Sequence, residues 1–283
     1  MIDVTIRATD EFSLAGTEFG DGARAERVVL IAPATGVRRR LYRPFAEFLA
    51  AEGFAVVTWD WRGTGDSRPK SLRAFRVTMR EWGERDLAGV IDWATVRYPD
   101  ARLLVVGHSF GGQAVGLAPN RDRVRGLVTV GAQSGYWGHW PRPKRYLYAV
   151  LWYVAMPLVT DLAGYFPARL FRLGEDLPRG VALQWARWCR TPSYLGDWSG
   201  HRAFAAPILA IGFMDDPFAP PAAVDALHTR YGSRKQQRWS IAPEELGAAR
   251  IGPLRVLPAG RHADSLARRG RLASGPVALA AVG

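Results

Sequence analysis

Short apolar runs punctuate the chain, and between most of them apolar residues return every three or four positions. Residues 3–7 and 13–17 flank Asp10-Glu11 as two β-like runs and predict an opening hairpin. Runs at 27–32, 54–59, 103–106 and 124–130 predict buried strands, with helices at 42–52, at 77–98 and directly after Ser109. The alternation resumes late in the chain, where strands at 207–212 and 236–240 flank a helix at 221–231. This order predicts an α/β fold with a mostly parallel central sheet, right-handed crossovers and flanking helices. Functional residues in such a sheet belong at the carboxyl ends of strands, where loops converge.

Between 134 and 203 the alternation stops. This stretch holds Trp137, Trp140, Trp152, Trp185, Trp188 and Trp198, six of the eleven tryptophans. It has helical patterns at 146–159 and 179–190 and no strand-like run. Inserted between two sheet strands, it is expected to form a helical cap. The chain then divides into a core segment 1–133, the cap 134–203 and a second core segment 204–283. The cap aromatics either line a pocket above the strand ends or pack the cap onto the sheet, and the sequence allows both.

The strand 103–106 runs into Gly107-His108-Ser109-Phe110-Gly111. Gly-x-Ser-x-Gly after a Val/Leu-rich strand and before small residues is the pattern of a nucleophile elbow, a sharp strand-to-helix turn with serine at its apex. Glycine is needed at 107 and 111 because neighbouring backbone passes too close for a Cβ. The turn strains Ser109 and holds its hydroxyl where an adjacent base can reach it.

Composition narrows the alternatives. With 283 residues, 48% hydrophobic and 23% charged, the chain can build one large globular domain with an insertion. Its single cysteine, Cys189, excludes an intrachain disulfide and offers no metal cluster, so a cytoplasmic protein without bound metal is expected. Residues 1–7 lack the basic and apolar segments of a signal peptide. The most apolar window, 146–160, is short for a membrane span, so no stable membrane insertion is expected. The net charge of +12 comes from scattered arginines without a helix-turn-helix, zinc finger or stacking platform, so no nucleic-acid partner is expected. Gly63-Thr64-Gly65 lacks the context of a dinucleotide or phosphate loop, and no organic cofactor is implied.

A serine nucleophile needs a base, and the base needs an orienting carboxylate. The strand 207–212 leads into Phe213-Met214-Asp215-Asp216-Pro217-Phe218-Ala219-Pro220, which supplies a carboxylate directly after a strand. With the elbow, this segment resembles the α/β-hydrolase superfamily, whose triad follows the chain order Ser, Asp, His. The resemblance covers about residues 10–252, cap excepted. It is nearest to a group of bacterial predicted serine hydrolases carrying Pro-Ala-Thr-Gly-Val, here residues 33–37. It implies an α/β-hydrolase fold, Ser109 as nucleophile, and Asp216 or Asp215 as the acid, with Asp216 favoured by the Pro217 that follows it. It also implies an oxyanion hole built from the backbone N–H of Phe110 and one from the loop after the third strand, where Val37 is the candidate. Asp60-Trp61-Arg62-Gly63-Thr64-Gly65-Asp66-Ser67 is similar to a loop of many hydrolases in this superfamily, and its expected role is structural.

The histidine departs from the pattern. His108 lies inside the elbow, His139 and His201 lie in or beside the cap, and His228 sits in a helix too early in chain order. His262 alone follows the acid at a suitable distance, in a context only loosely similar to the family's. The resembling group carries Ile-Gly-His-Phe-Gly-Phe-Phe-Arg-Pro where this chain has Ile251-Gly252-Pro253-Leu254-Arg255-Val256-Leu257-Pro258. One permitted coding of residues 252–258 yields Gly-His-Phe-Gly-Phe-Phe once a single cytosine is removed. Residues 253–283 also lack any aromatic and carry five Arg against one Asp. The resemblance therefore implies a one-base slip of the reading frame near Gly252, with the family's histidine falling at Pro253. A divergent tail that uses His262, or a chain without a working base, are the alternatives.

These residues and this resemblance imply a serine hydrolase of small-molecule carboxylic esters or amides with an apolar part. A non-catalytic hydrophobic-ligand-binding protein and an acyltransferase on the same triad are the alternatives. A serine at the elbow disfavours dehalogenases and epoxide hydrolases, which are similar in fold but place aspartate there. Sequencing the gene across the Gly252 codon is expected to show one extra base relative to close relatives. An unambiguous proline codon at 253 with no upstream insertion would instead make the tail genuine.

Overall fold

The structure, a computed structural model, describes residues 1–20 and 25–246. The hairpin β1 (Ile2–Arg7) and β2 (Ser13–Phe19) opens it, with Ile6 paired to Leu14 and both side chains buried. There follow β3 (Arg27–Ala32), α1 (Arg43–Ala51), β4 (Ala55–Trp59), the helix α2 (79–97) and β5 (Arg102–His108). A short helix α3 (Phe110–Ala114) and β6 (Gly126–Val130) complete the first half. The strand order is β1-β2-β4-β3-β5-β6, continued by β9 (Ile208–Phe213) and β10 (Gln236–Ile241), which flank α7 (Pro221–His228). The β1–β2 and β2–β4 pairs are antiparallel and all later pairs are parallel. Successive strand residues face opposite sides. Val28, Leu30 and Val105 therefore enter one core while Val29, Ile31, Leu104 and Val106 enter the other. The inner strands are covered by helices on both faces, which is why β4 and β6 are mostly apolar and buried throughout.

Between β6 and β9 lies the helical insertion. Its first helix, α4 (Lys144–Ala163), spans 20 residues and is longer than the periodicity at 146–159 suggests. Gly164 at φ 79° ends it in the left-handed conformation that glycine accepts. The ribbon β7 (Tyr165–Phe166) with β8 (Leu177–Pro178) corrects the expectation of no strand here; two-residue strands are too short to carry an alternation. Then come α5 (Arg179–Arg190) and α6 (Ser199–Ala203). Trp152, Trp188 and Trp198 are buried in the same core cluster as the inner face of the sheet, and Trp152 meets Trp185 at 4.9 Å. The insertion thus packs onto the sheet through its tryptophans.

The loop after β4 is built on two buried guanidinium groups. Arg39 donates to Asp60 and Asp66, and Asp60 also accepts the Arg39 and Asp66 backbone N–H groups. Arg62 donates through Nε to Asp86 on α2, which also accepts the Arg62 backbone N–H, and through both Nη atoms to Asp10 in the hairpin turn. Asp10 is held well below the usual carboxylate range, first by its hydrogen bonds to Arg62. Asp86 is completely buried, so removing it leaves the Arg62 Nε–H and backbone N–H without their acceptor and the buried cation with Asp10 alone. Asp86→Ala is expected to cost about 3–5 kcal/mol of stability, measured by urea denaturation.

Candidate active site

Ser109 sits at the end of β5 with φ 50° and ψ −114°, a left-handed conformation costly for serine. Its N–H donates to Val130 O at 2.9 Å, and its carbonyl accepts the Gly112 N–H at 3.0 Å. A Cβ at Gly107 would lie 2.4 Å from Gly112 N, and one at Gly111 would lie 2.1 Å from Ala32 O. Both glycines are therefore required, since β3, β5 and α3 cross at backbone contact distance. The Ser109 side chain is half-buried. Behind it, Phe110 stands edge-on to Trp61 and Trp82, which stack at 5.7 Å. Trp61 Nε1 donates to Pro33 O and Trp82 Nε1 to Arg62 O, so the residue after Ser109 is locked to the loop after β3. As the first residue of α3, Phe110 has an N–H with no acceptor inside its own helix.

The acidic loop follows β9. Val130 O accepts from Ser109, and the next residue's N–H, at Gly131, donates to Ile211 O. These bonds tie the elbow to the end of β9 across a single intervening strand. Two strand spacings, about 10 Å, separate the β5 and β9 axes. Asp216 is 4% exposed and accepts the Phe218 N–H at 2.8 Å, with a further bond from the Ala219 N–H. Its Oδ2 is buried and has no hydrogen-bond partner among the described residues. Burial pushes this carboxyl up to about 6, opposed by the two N–H bonds and helped by the charge of Asp215. Asp215 is half-buried beside it. From the insertion, Trp140 Nε1 and Tyr148 Oη both donate to Pro217 O, at 2.8 and 3.0 Å, and hold this loop in place.

In the loop after β3, the Val37 N–H closes a turn onto Ala34 O at 3.2 Å and is occupied there. The Ala34 N–H donates to Tyr42 Oη at 2.9 Å, and Tyr42 Oη lies 2.8 Å from His108 Nδ1. Gly36 O accepts the Glu175 N–H, and Glu175 in turn pairs with Arg38 and Arg169. Neither the Tyr42–His108 pair nor the Glu175 strap was legible in the sequence, because each joins segments far apart in the chain.

The four described histidines have other roles. His108 is buried on Tyr42, and burial pushes it down to about 4. His201 Nε2 donates to Gln113 O, and His228 bridges Thr129 and Val224. His139 packs edge-on against Tyr136. Among the described residues none hydrogen-bonds Ser109 or Asp216. His262 and Pro253 lie outside the described residues.

This sheet order, with a strained serine after β5 and an acidic loop after β9, is that of the α/β-hydrolase fold. Residues 23–163 match the family model described as serine aminopeptidase, S33. The fold is similar to an esterase from Exiguobacterium antarcticum, at 15% identity and TM-score 0.60, covering 98% of this chain and 99% of that one. It is also similar to a thermophilic esterase from Thermogutta terrifontis, at 20% identity and TM-score 0.61, covering 96% and 98%. The monoacylglycerol lipase of Paleococcus ferrophilus matches at 16% identity and TM-score 0.55, over 81% of this chain and 88% of that one.

The burial of Asp216 has a measurable cost. A carboxyl raised from 3.8 to about 6 on folding contributes stability that is complete below 3.8 and is lost as pH rises through 6. Asp216→Asn, which cannot ionise, is expected to gain on the order of 2 kcal/mol over the parent at pH 7.5. The gain should vanish below pH 4, as read from thermal unfolding across that range.

Proposed function

We propose that this protein hydrolyses small-molecule carboxylic esters or amides through a Ser–His–Asp acyl-enzyme mechanism. The observation that carries the reading is Ser109 held at φ 50° on the corner between β5 and α3. Strain of this kind persists only where the surrounding backbone enforces it, and it presents the hydroxyl above the strand ends. The buried, unpartnered Oδ2 of Asp216 on the neighbouring acidic loop supports it. An imidazole donating one N–H to that oxygen would satisfy it and fill the gap of about 10 Å between the two strands.

In this reading Ser109 Oγ attacks the acyl carbon while the imidazole takes its proton. The developing oxyanion accepts the Phe110 N–H and a second N–H from the loop after β3. Because the Val37 N–H is turned onto Ala34 O and the Ala34 N–H is held by Tyr42, the second donor is drawn from the Thr35 and Gly36 N–H groups rather than Val37. Each such donor is typically worth about 3 kcal/mol in the transition state. The imidazolium then protonates the leaving alcohol or amine, and water releases the acid by the same steps in reverse. The names of the similar structures, two esterases and a lipase, fit ester substrates, and the family description fits amides.

A fluorophosphonate probe is expected to label the protein at Ser109, and Ser109→Ala to abolish both labelling and hydrolysis of short nitrophenyl esters. Slow labelling of the chain as written, made fast by restoring the family frame after Gly252, would put the base at position 253. Fast labelling lost in His262→Ala would put it at 262. Absence of labelling in both forms would overturn the reading in favour of a ligand-binding protein.

A further inference from the structure

The helix α4 is apolar on every side. Its inner face, Trp152, Met156 and Thr160, is buried against the body of the protein. Its outer face carries Tyr146, Leu147, Val150, Val154, Leu158 and Leu162, all exposed, with Leu147 at 74% and Leu162 at 79%. Residues spaced by three, four and seven form one stripe along a helix, so these side chains are neighbours. The segment that follows adds Leu170 at 80%, Phe171 and Leu173, also exposed. An apolar surface of this extent marks a place where another apolar phase docks.

The charge around it identifies the occupant. Residues 134–203 hold nine Lys and Arg against four Asp and Glu. The acids are spent within the fold: Asp161, the carboxylate on the outer stripe, pairs with Arg179; Glu175 with Arg38 and Arg169; Asp176 with Arg68; and Asp197 caps Ser199. Arg142, Lys144, Arg172 and Arg187 are exposed and enter no ion pair among the described residues. Arg142 and Lys144 stand at the start of the stripe, Arg172 lies between Phe171 and Leu173, and Arg190 covers the ring of the exposed Tyr153. A second copy of the chain would bring these cations against one another. An anionic surface would neutralise them while the leucines and valines enter its apolar layer.

We propose that the outer face of α4 and the 170–173 segment dock in the plane of an anionic lipid bilayer. The helix is long enough to cross a membrane, but its inner face is engaged with the protein, so it lies along the surface. Arg142, Lys144, Arg172 and Arg190 thus stand on the same segments as the exposed apolar side chains or against one of them. The proposal concerns binding alone and stands or falls independently of the hydrolytic reading.

The test is co-sedimentation of the full chain with vesicles of phosphatidylcholine containing phosphatidylglycerol, compared with phosphatidylcholine alone. Binding is expected to the anionic vesicles and to weaken steeply with salt. Leu158→Glu with Leu162→Glu, and separately Arg142→Glu with Lys144→Glu, should each weaken it by about tenfold or more. All four side chains are exposed, so circular dichroism and the thermal transition should be unchanged. No vesicle binding, equal binding to both vesicle types, or variants that bind like the parent would each overturn the proposal. A dimer in sedimentation velocity that Leu158→Glu with Leu162→Glu dissociates, without vesicle binding, would assign the face to a second copy instead.

Discussion

The backbone crossing at the end of β5 is the constraint on which the site depends. Gly107 and Gly111 let β3, β5 and α3 approach within distances that no side chain tolerates, and Ser109 absorbs the resulting turn at φ 50°. Strain of order 1–3 kcal/mol at one residue is small beside the sheet contacts that enforce it. Those contacts are continuous. The Ser109 N–H is held by Val130, and the Gly131 N–H is held by Ile211, so the serine corner and the acidic loop share one hydrogen-bonded frame. A shift of either strand would move both, which is a rigid basis for placing two groups that must act together.

Around this frame, charge does what apolar packing cannot. The loop 60–67 and the loop after β3 have few apolar side chains to anchor them, and their conformations follow from Arg39 and Arg62. Each guanidinium is nearly fully buried and reaches carboxylates from different segments: Asp60 and Asp66 for Arg39, Asp86 and Asp10 for Arg62. A planar group with five donors suits this task, because it fixes several acceptors at defined angles. Trp61 extends the same loop toward the site by packing on Phe110 and donating to Pro33. The segment similar to other hydrolases is thus a buttress for the two places where an oxyanion would be held.

The sequence was legible wherever structure is local. Strand and helix positions followed from apolar period, and 27–32 and 179–190 match their observed elements end to end. The elbow was legible because glycine, serine and glycine at fixed spacing encode a backbone shape. Asp216 was favoured over Asp215 through the proline after it, and it is the more buried of the two. Three further features were not legible. That the Val37 N–H is occupied was hidden because the turn that consumes it depends on Ala34, which Tyr42 positions from just before α1. The β7–β8 ribbon is too short to leave a pattern. The outer face of α4 escaped notice because a helix apolar on both sides has no amphipathic signature, so period alone cannot say which side is covered.

The insertion reaches the site at two points, and this limits how it can move. Trp140 and Tyr148 hold Pro217 O beside Asp216, and the Glu175 N–H holds Gly36 O in the loop that would supply an oxyanion donor. Tyr148 lies on α4, one residue from the exposed Leu147, so the same helix carries a contact to the acidic loop and the apolar stripe on its far side. An α-helix with side chains is about 10 Å thick. Whatever covers the outer face therefore acts within one helix diameter of the acid. Catalytic geometry is sensitive at this scale, since a misplacement of about 1 Å can cost about a hundredfold in rate. A rigid insertion gripping both loops keeps that geometry fixed, whereas any displacement of α4 would be felt at the acidic loop before it was felt at Ser109, which the sheet itself restrains.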